Sequence, residues 1–252
     1  MQSISPEGLR PAAEAKERRD TIRLLTWNVH KCRGRDGVRD PERVLHAIAL
    51  LKPDVAVLQE ADLKFGRERL LIDPRKAMEI AGMTVCLPEA TRSGGIGWRG
   101  NALLVRDGIT LVSTKSLSLP SLEPRGAAIW RLSRDGTLFE VVGLHLGLVS
   151  VFRALQASHL AAVIAGRERL PTVVAGDTND WRAGSVNMRP LEMVLETTAS
   201  RHPTFPARRP VLSLDRIMAG RGASVESVWT ESARHASDHI PLVSEIRLSK
   251  AA

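Results

Sequence analysis

Tyrosine is absent from this chain of 252 residues, and aromatic residues make up only 4% of it. A row of stacking platforms for nucleobases is therefore not a theme of the sequence. Cysteine is almost as scarce. Cys32 and Cys86 stand far apart and outside any Cys/His cluster, which removes a disulfide-built scaffold and a zinc site of the usual spacing. Two free thiols in a reducing compartment are expected, with one disulfide as the alternative. No apolar run reaches the roughly 18–20 residues needed to span a bilayer. Residues 1–20 (MQSISPEGLRPAAEAKERRD) lack the apolar stretch of a secretory signal. The resulting expectations are a flexible tail over 1–20, a single domain over 21–252 and a cytoplasmic location.

Acid is the minority charge: 28 Asp and Glu stand against 36 Lys and Arg, a net charge of +8. Such a surface attracts polyanions, whether nucleic acid, anionic lipid headgroups or phosphorylated metabolites. Arginine dominates, and its planar fork suits phosphate oxygens. The remaining composition, 43% hydrophobic and 25% charged, is that of a soluble globular protein with enough apolar material for a core.

Apolar runs punctuated by turn residues dominate the chain. Thr21 to Trp27, Asp54 to Glu60 and Pro171 to Ala175 read as strands, the last buried on both faces. Asp40-Pro41 is a helix start, and Val44, Leu45, Ile48 and Leu51 follow at helical spacing until Pro53. Residues 72–82 read as helical and 84–87 as extended. Further strands are expected over 102–106, 108–113, 127–132, 138–144, 212–218, 224–229 and 243–248. A helix over 151–164 should turn Leu155, Leu160, Ala161 and Ile164 inward. Strand, helix, strand and more strands, run through twice, predict two packed mixed sheets with helices outside.

Polar residues recur where these strands end: Asn28, Glu60, His145, Asp177, Asn179, Asp215 and the pair Asp238-His239. Each alone has an ordinary reading as a surface acid, turn residue or hydrogen-bonded histidine. Together they would converge on one rim, where buried carboxylates need a compensating cation. Glu60 and Asp238 are hard oxygen donors of the kind magnesium prefers. Arg125, Arg153, Asn101 and Arg99 are candidates for substrate contact, with plain solvated surface positions as the alternative. Trp98 and the glycine-containing stretch 93–101 could flank the cleft.

The ordered set LLTWNVH, PDVAVLQE, GNALLVR, GLHLG, VVAGDTND, LDRIM and SDHIPLV resembles the endonuclease/exonuclease/phosphatase superfamily over nearly the whole chain, from Thr21 to Leu248. The resemblance implies a four-layer α/β/β/α sandwich with its site at one edge of the paired sheets. It implies Mg²⁺, with Mn²⁺ as a substitute, held by Glu60 with Asp238 and Asn28. Asp177 would orient or deprotonate the attacking water, and Asn179 would hold that water or a phosphate oxygen. His239, oriented by Asp215, would contact the phosphate, and His145 would stand where some branches carry a second histidine. Two departures stand out. Thr178 replaces the usual aromatic of GDFN, and His30 stands where abasic-site enzymes carry an acid. Asp180 is read as a cap for the following turn, with a further metal ligand as the alternative. The implied activity is phosphodiester hydrolysis, with nucleic acid favoured by the charge and a lipid headgroup as the alternative. A catalytically silent nucleic-acid-binding module is the reading from another class. A monomer is the default.

Overall fold

The computed structural model describes residues 20–62, 71–86, 100–122, 125–182, 185–197, 200–233 and 235–249. Apart from Asp20, the expected tail over 1–20 lies outside the described residues, as do Arg99, Trp98 and most of the 93–101 stretch.

One sheet joins β1 (Thr21–Asn28), β2 (Val55–Gln59), β3 (Met83–Cys86), β4 (Ala102–Arg106), β10 (Ala223–Thr230) and β11 (Leu242–Leu248), in the order β10-β11-β1-β2-β4-β3. The other runs in simple succession through β5 (Ile109–Ser118), β6 (Gly126–Arg134), β7 (Thr137–His145), β8 (Thr172–Asp177) and β9 (Asp215–Gly220). Each sheet holds one parallel pair, β1 with β2 and β7 with β8, among antiparallel neighbours. Central β2 and β8 are buried along their whole length, which is why VAVLQ and TVVAGD show no polar alternation. Edge strand β5, by contrast, exposes most of its Thr, Ser and Lys residues, as an unpaired edge requires.

Among the described residues, four α-helices complete the layers. In α1 (Pro41–Leu51), the Asp40 carboxylate accepts the Arg43 N–H as N-cap and Pro41 opens the helix; Lys52 ends it in the left-handed conformation. The short α2 (Pro74–Lys76) is capped by Asp73 and continues as a π-turn over Ala77–Ala81. On the other sheet lie α3 (Ser150–Ala165) and α4 (Arg189–Leu195).

Three apolar layers hold the stack together. Leu24, Val57, Leu103, Trp130, Val141, Val173 and Ile217 fill the space between the sheets. Trp27, Leu45, Ile48, Leu58, Ala77, Ala81 and Leu104 join α1 and the π-turn to the first sheet, and Val142, Leu144, Leu160, Ile164, Leu191 and Met218 join α3 and α4 to the second. This is the four-layer α/β/β/α sandwich. Cys32 and Cys86 are free thiols, and burial pushes them up to about 12 and about 11, so neither is a ready nucleophile.

The structure corrects four local expectations. The strand expected over 212–218 begins at Asp215, because Leu212 turns back to pair with Phe205. β5 runs on to Ser118. The seven-residue α4 was not anticipated. Leu155 faces outward, 51% exposed, while Leu160, Ala161 and Ile164 point in.

Candidate active site

The two parallel pairs end at the same edge of the sandwich. Asn28 closes β1, and His145 and Asp177 lie side by side at the ends of β7 and β8, with Asp215 opposite at the start of β9. The Asn28 amide crosses from one sheet to the other and donates to Asp177 Oδ2 at 2.9 Å. His239 comes in from the segment before β11. Its carbonyl accepts the Trp27 indole N–H at 2.9 Å, and the Ser237 hydroxyl donates to the Asn28 carbonyl at 2.7 Å. Those contacts bring the SDH segment against the end of β1.

Asp177 is fully enclosed. Its Oδ1 accepts the Asn179 N–H at 2.9 Å, and its Oδ2 lies 3.5 Å from His145 Nε2 and 3.9 Å from His239 Nε2. Burial, then the charge of Asp215, pushes its carboxyl up to about 6, against the opposing pull of His239 and the Asn28 hydrogen bond. His239 shows the opposite balance. Burial disfavours its charged form, but the Asp215 carboxylate, 2.8 Å from Nδ1, together with Asp177 and Asp238, outweighs burial and pushes the ring up to about 10. His239 is thus a held imidazolium whose Nε2 faces Asp177 across a gap wider than a hydrogen bond.

His145 differs in kind. Arg125 Nη1 lies 2.5 Å from its Nε2, and a guanidinium only donates, so that nitrogen accepts and the ring carries its proton on Nδ1. Through Nε2, His145 then accepts rather than donates, and it anchors Arg125 beside Asp177. Arg125 is itself buried.

Glu60 and Asp238 stand at the more open lip. Lys31 Nζ is 3.6 Å from Glu60 and His30 Nδ1 is 3.7 Å from Asp238, contacts too long to saturate either carboxylate. Asn28 Oδ1 accepts the His30 N–H at 3.0 Å and keeps a lone pair. In donor chemistry, two carboxylates and an amide oxygen are of the hard oxygen type that a divalent cation such as Mg²⁺ prefers. Asp177, Asp215 and His239 also place ligand atoms within 4.8 Å of one another and could hold a metal ion. There the protonated His239 already offsets part of the carboxylate charge.

Backbone strain collects at the same place. His30, Lys31, Cys32, Glu60 and Asn179 all adopt positive φ, between 47° and 55°. Gly176, at φ 150°, passes so close to β7 that a Cβ would collide with the Leu144 carbonyl oxygen, so glycine is required before Asp177.

The remaining candidates sort by burial. The Asn179 side chain is partly committed, donating to the Leu146 carbonyl at 3.0 Å. Asn101 is fully buried and ties its segment to the Gly126 carbonyl at 3.0 Å. Arg153 is not placed to meet substrate. It is buried, and its Nη1 donates to the carbonyls of Gly147 and Leu148. Asp180 accepts the Ser185 hydroxyl at 2.6 Å, in keeping with a cap. Thr178, in place of an aromatic, is buried and bonds the Leu214 carbonyl through both its N–H and its hydroxyl. The Arg125–His145 pairing was missed in the sequence; only the alignment of β6 with β7, Gly126 opposite His145, reveals it.

The pattern of the endonuclease/exonuclease/phosphatase family matches residues 25–239, which include every residue of this cluster. The chain belongs to that family. The Escherichia coli (strain K12) protein YbhP, itself uncharacterised, is 33% identical over 162 residues, a match spanning 60% of this chain and 64% of YbhP. This match therefore covers less than two thirds of YbhP. Among solved structures, the catalytic domain of human Nocturnin with a bound sulfate is 20% identical and superposes with a TM-score of 0.69 over 92% of this chain and 96% of that one. D. rerio TDP2, complexed with a single-stranded DNA product, is 17% identical with a TM-score of 0.65 over 90% and 99%. At these identities the two structures speak for the fold.

Proposed function

We propose that this protein is a divalent-metal-dependent phosphodiesterase in which Asp177 activates water and His239 stabilises the charge that develops on the phosphate. The observation that carries this reading is the Asp177–His239–Asp215 arrangement. A buried carboxylate raised to about 6 faces an imidazolium held by a second buried carboxylate. A carboxylate titrating near neutrality can accept a proton from water and remain mostly deprotonated at pH 7. The Asn28 amide and the Asn179 N–H fix its plane, so the oxygen lone pairs that remain are the ones aimed into the site. Asp215 fixes the His239 ring and keeps its proton in place, leaving Nε2–H for a phosphate oxygen. Arg125, anchored by His145, supplies a second positive charge at the same edge. A cation held by Glu60, Asp238 and Asn28 would neutralise phosphate oxygen charge as the bond to the leaving group breaks.

The substrate has two readings. Nucleic acid is favoured by the net charge of +8 and is in keeping with TDP2, whose structure holds a DNA product. A lipid headgroup phosphodiester is favoured by a different observation, the exposed apolar side chains that follow His145. One panel separates them: the protein with Mg²⁺ or Mn²⁺ on bis-p-nitrophenyl phosphate, plasmid, single-stranded DNA, RNA and phospholipid vesicles, beside Glu60→Ala. Nuclease activity should fall steeply with salt as counterion release weakens binding. Hydrolysis of no phosphodiester with either metal would remove the enzymatic reading and leave the silent binding module.

A further inference from the structure

Leu148, Val149, Val151 and Leu155 are exposed by 63%, 46%, 60% and 51%, and they follow His145 directly in the chain. From Leu146 to Gly166 the sequence contains a single Asp, Glu, Lys or Arg, which is Arg153, and it is buried against the carbonyls of Gly147 and Leu148. The outward face of the first turns of α3 is therefore uncharged, in a protein with 25% charged residues. A surface helix ordinarily turns its apolar stripe to the core and its charge to water. α3 buries Leu160 and Ile164 and still presents Val151 and Leu155 outward.

Two further apolar side chains join this face. Trp181 is 44% exposed and Val186 69%. Their segments are tied to the start of α3: Asn179 donates to the Leu146 carbonyl at 3.0 Å, and Asn187 to the Ser150 hydroxyl at 3.1 Å. The six side chains thus rim the edge that carries Asp177. Basic groups stand among them. The Arg182 guanidinium lies 5.3 Å from the centre of the Trp181 ring, Arg201 donates to the Arg182 carbonyl at 3.3 Å, and Arg189 is exposed at the start of α4.

We propose that this rim is a docking surface for an anionic bilayer, an inference that rests on the lipid reading of the substrate. Scattered aliphatic side chains with an adjacent Trp–Arg pair suit the interface, where the apolar parts enter the acyl boundary and the arginines remain among phosphates. A nucleic acid would leave Leu148, Val151 and Leu155 with nothing to bury against. The anionic surface complements the net charge of +8. Docking in this orientation brings a headgroup phosphodiester to the edge occupied by Asp177 and His239.

The test uses the whole protein in EDTA, so that binding is read without turnover. Co-sedimentation is measured with vesicles of equimolar phosphatidylglycerol and phosphatidylcholine, and with phosphatidylcholine alone. The protein should sediment with the anionic vesicles and much less with the neutral ones. The double variant Val151→Asp/Leu155→Asp should lose about tenfold or more in apparent affinity. Leu50→Asp, at an exposed position on α1, should bind like wild type. Thermal melts check that each variant is folded, and Val151→Ser/Leu155→Ser gives the same reading without an introduced charge. Wild-type protein that stays in solution with anionic vesicles overturns the proposal, as does a folded double variant that binds undiminished. A dimer that these substitutions dissociate, without vesicle binding, also overturns it and gives the rim to a protein partner. Vesicle binding by a protein that hydrolyses no phosphodiester with Mg²⁺ or Mn²⁺ leaves docking intact and removes the hydrolase.

Discussion

The parallel pair β7–β8 has a buried carboxylate near each end, and the two are treated in opposite ways. At one end Glu140, opposite Thr172, is 1% exposed and saturated by Arg131 and Arg167, the latter donating through both Nε and Nη2. At the other, Asp177 is equally buried but is held by an amide and a backbone N–H, with the His239 ring nitrogen 3.9 Å away. The first arrangement satisfies a charge and locks a sheet to the end of a helix. The second leaves a charge under-compensated, which raises its proton affinity and leaves lone pairs for a reacting molecule. Burial alone therefore does not mark a functional acid; incomplete satisfaction does.

Breaking the saturated end should have the larger effect on stability. Glu140→Ala strands two arginines and should cost about 3 kcal/mol of unfolding free energy by urea titration, with turnover at low temperature kept within about twofold. Loss of turnover in folded protein would show that the two ends are not independent. Asp215→Asn should lower kcat about 10–100-fold, since it removes the group that orients His239. The same variant has a pH signature. His239 titrates higher folded than unfolded, so its contribution to stability is full below about 6.5 and is lost as pH rises through about 10. The urea midpoint of wild type should decline across that window, and that of Asp215→Asn should be flatter. An unchanged slope would take Asp215 out of this role. The smallest effect belongs to Arg169→Ala, which removes an exposed pair with Glu196 at 3.3 Å. It should change stability by about 0.5 kcal/mol or less, which separates burial from ion pairing as the source of the Glu140 effect.

Much of the architecture was legible because each central strand is a run of apolar residues closed by a polar one. Thr21 to Trp27 before Asn28, and Val173 to Ala175 before Gly176-Asp177, announce both the strand and the place where chemistry can be exposed. The juxtaposition of Asn28, Asp177, Asp215 and His239 follows from that pattern once two sheets are stacked. What stayed hidden depends on partners distant in sequence. Arg153 reads as a substrate contact or a surface charge because nothing local shows that the Gly147 and Leu148 carbonyls will claim it. Arg125 and His145 meet only through strand register. Leu155 reads as inward because it is apolar, yet α3 carries more apolar positions than its inner face needs. The short α4 has too few turns for a periodic signal.

The most direct measurement is Asp177→Asn assayed in one preparation for phosphodiester hydrolysis with Mg²⁺ and for its urea midpoint. Asp177 binds its proton more tightly folded than unfolded, so its ionisation opposes folding as pH rises from about 4 through about 6. At neutral pH the variant should therefore lose about 10³-fold or more in kcat while its midpoint holds or rises. Turnover within tenfold of wild type, or a fall in midpoint like that of Glu140→Ala, would contradict the division of labour between the two ends of the strand pair.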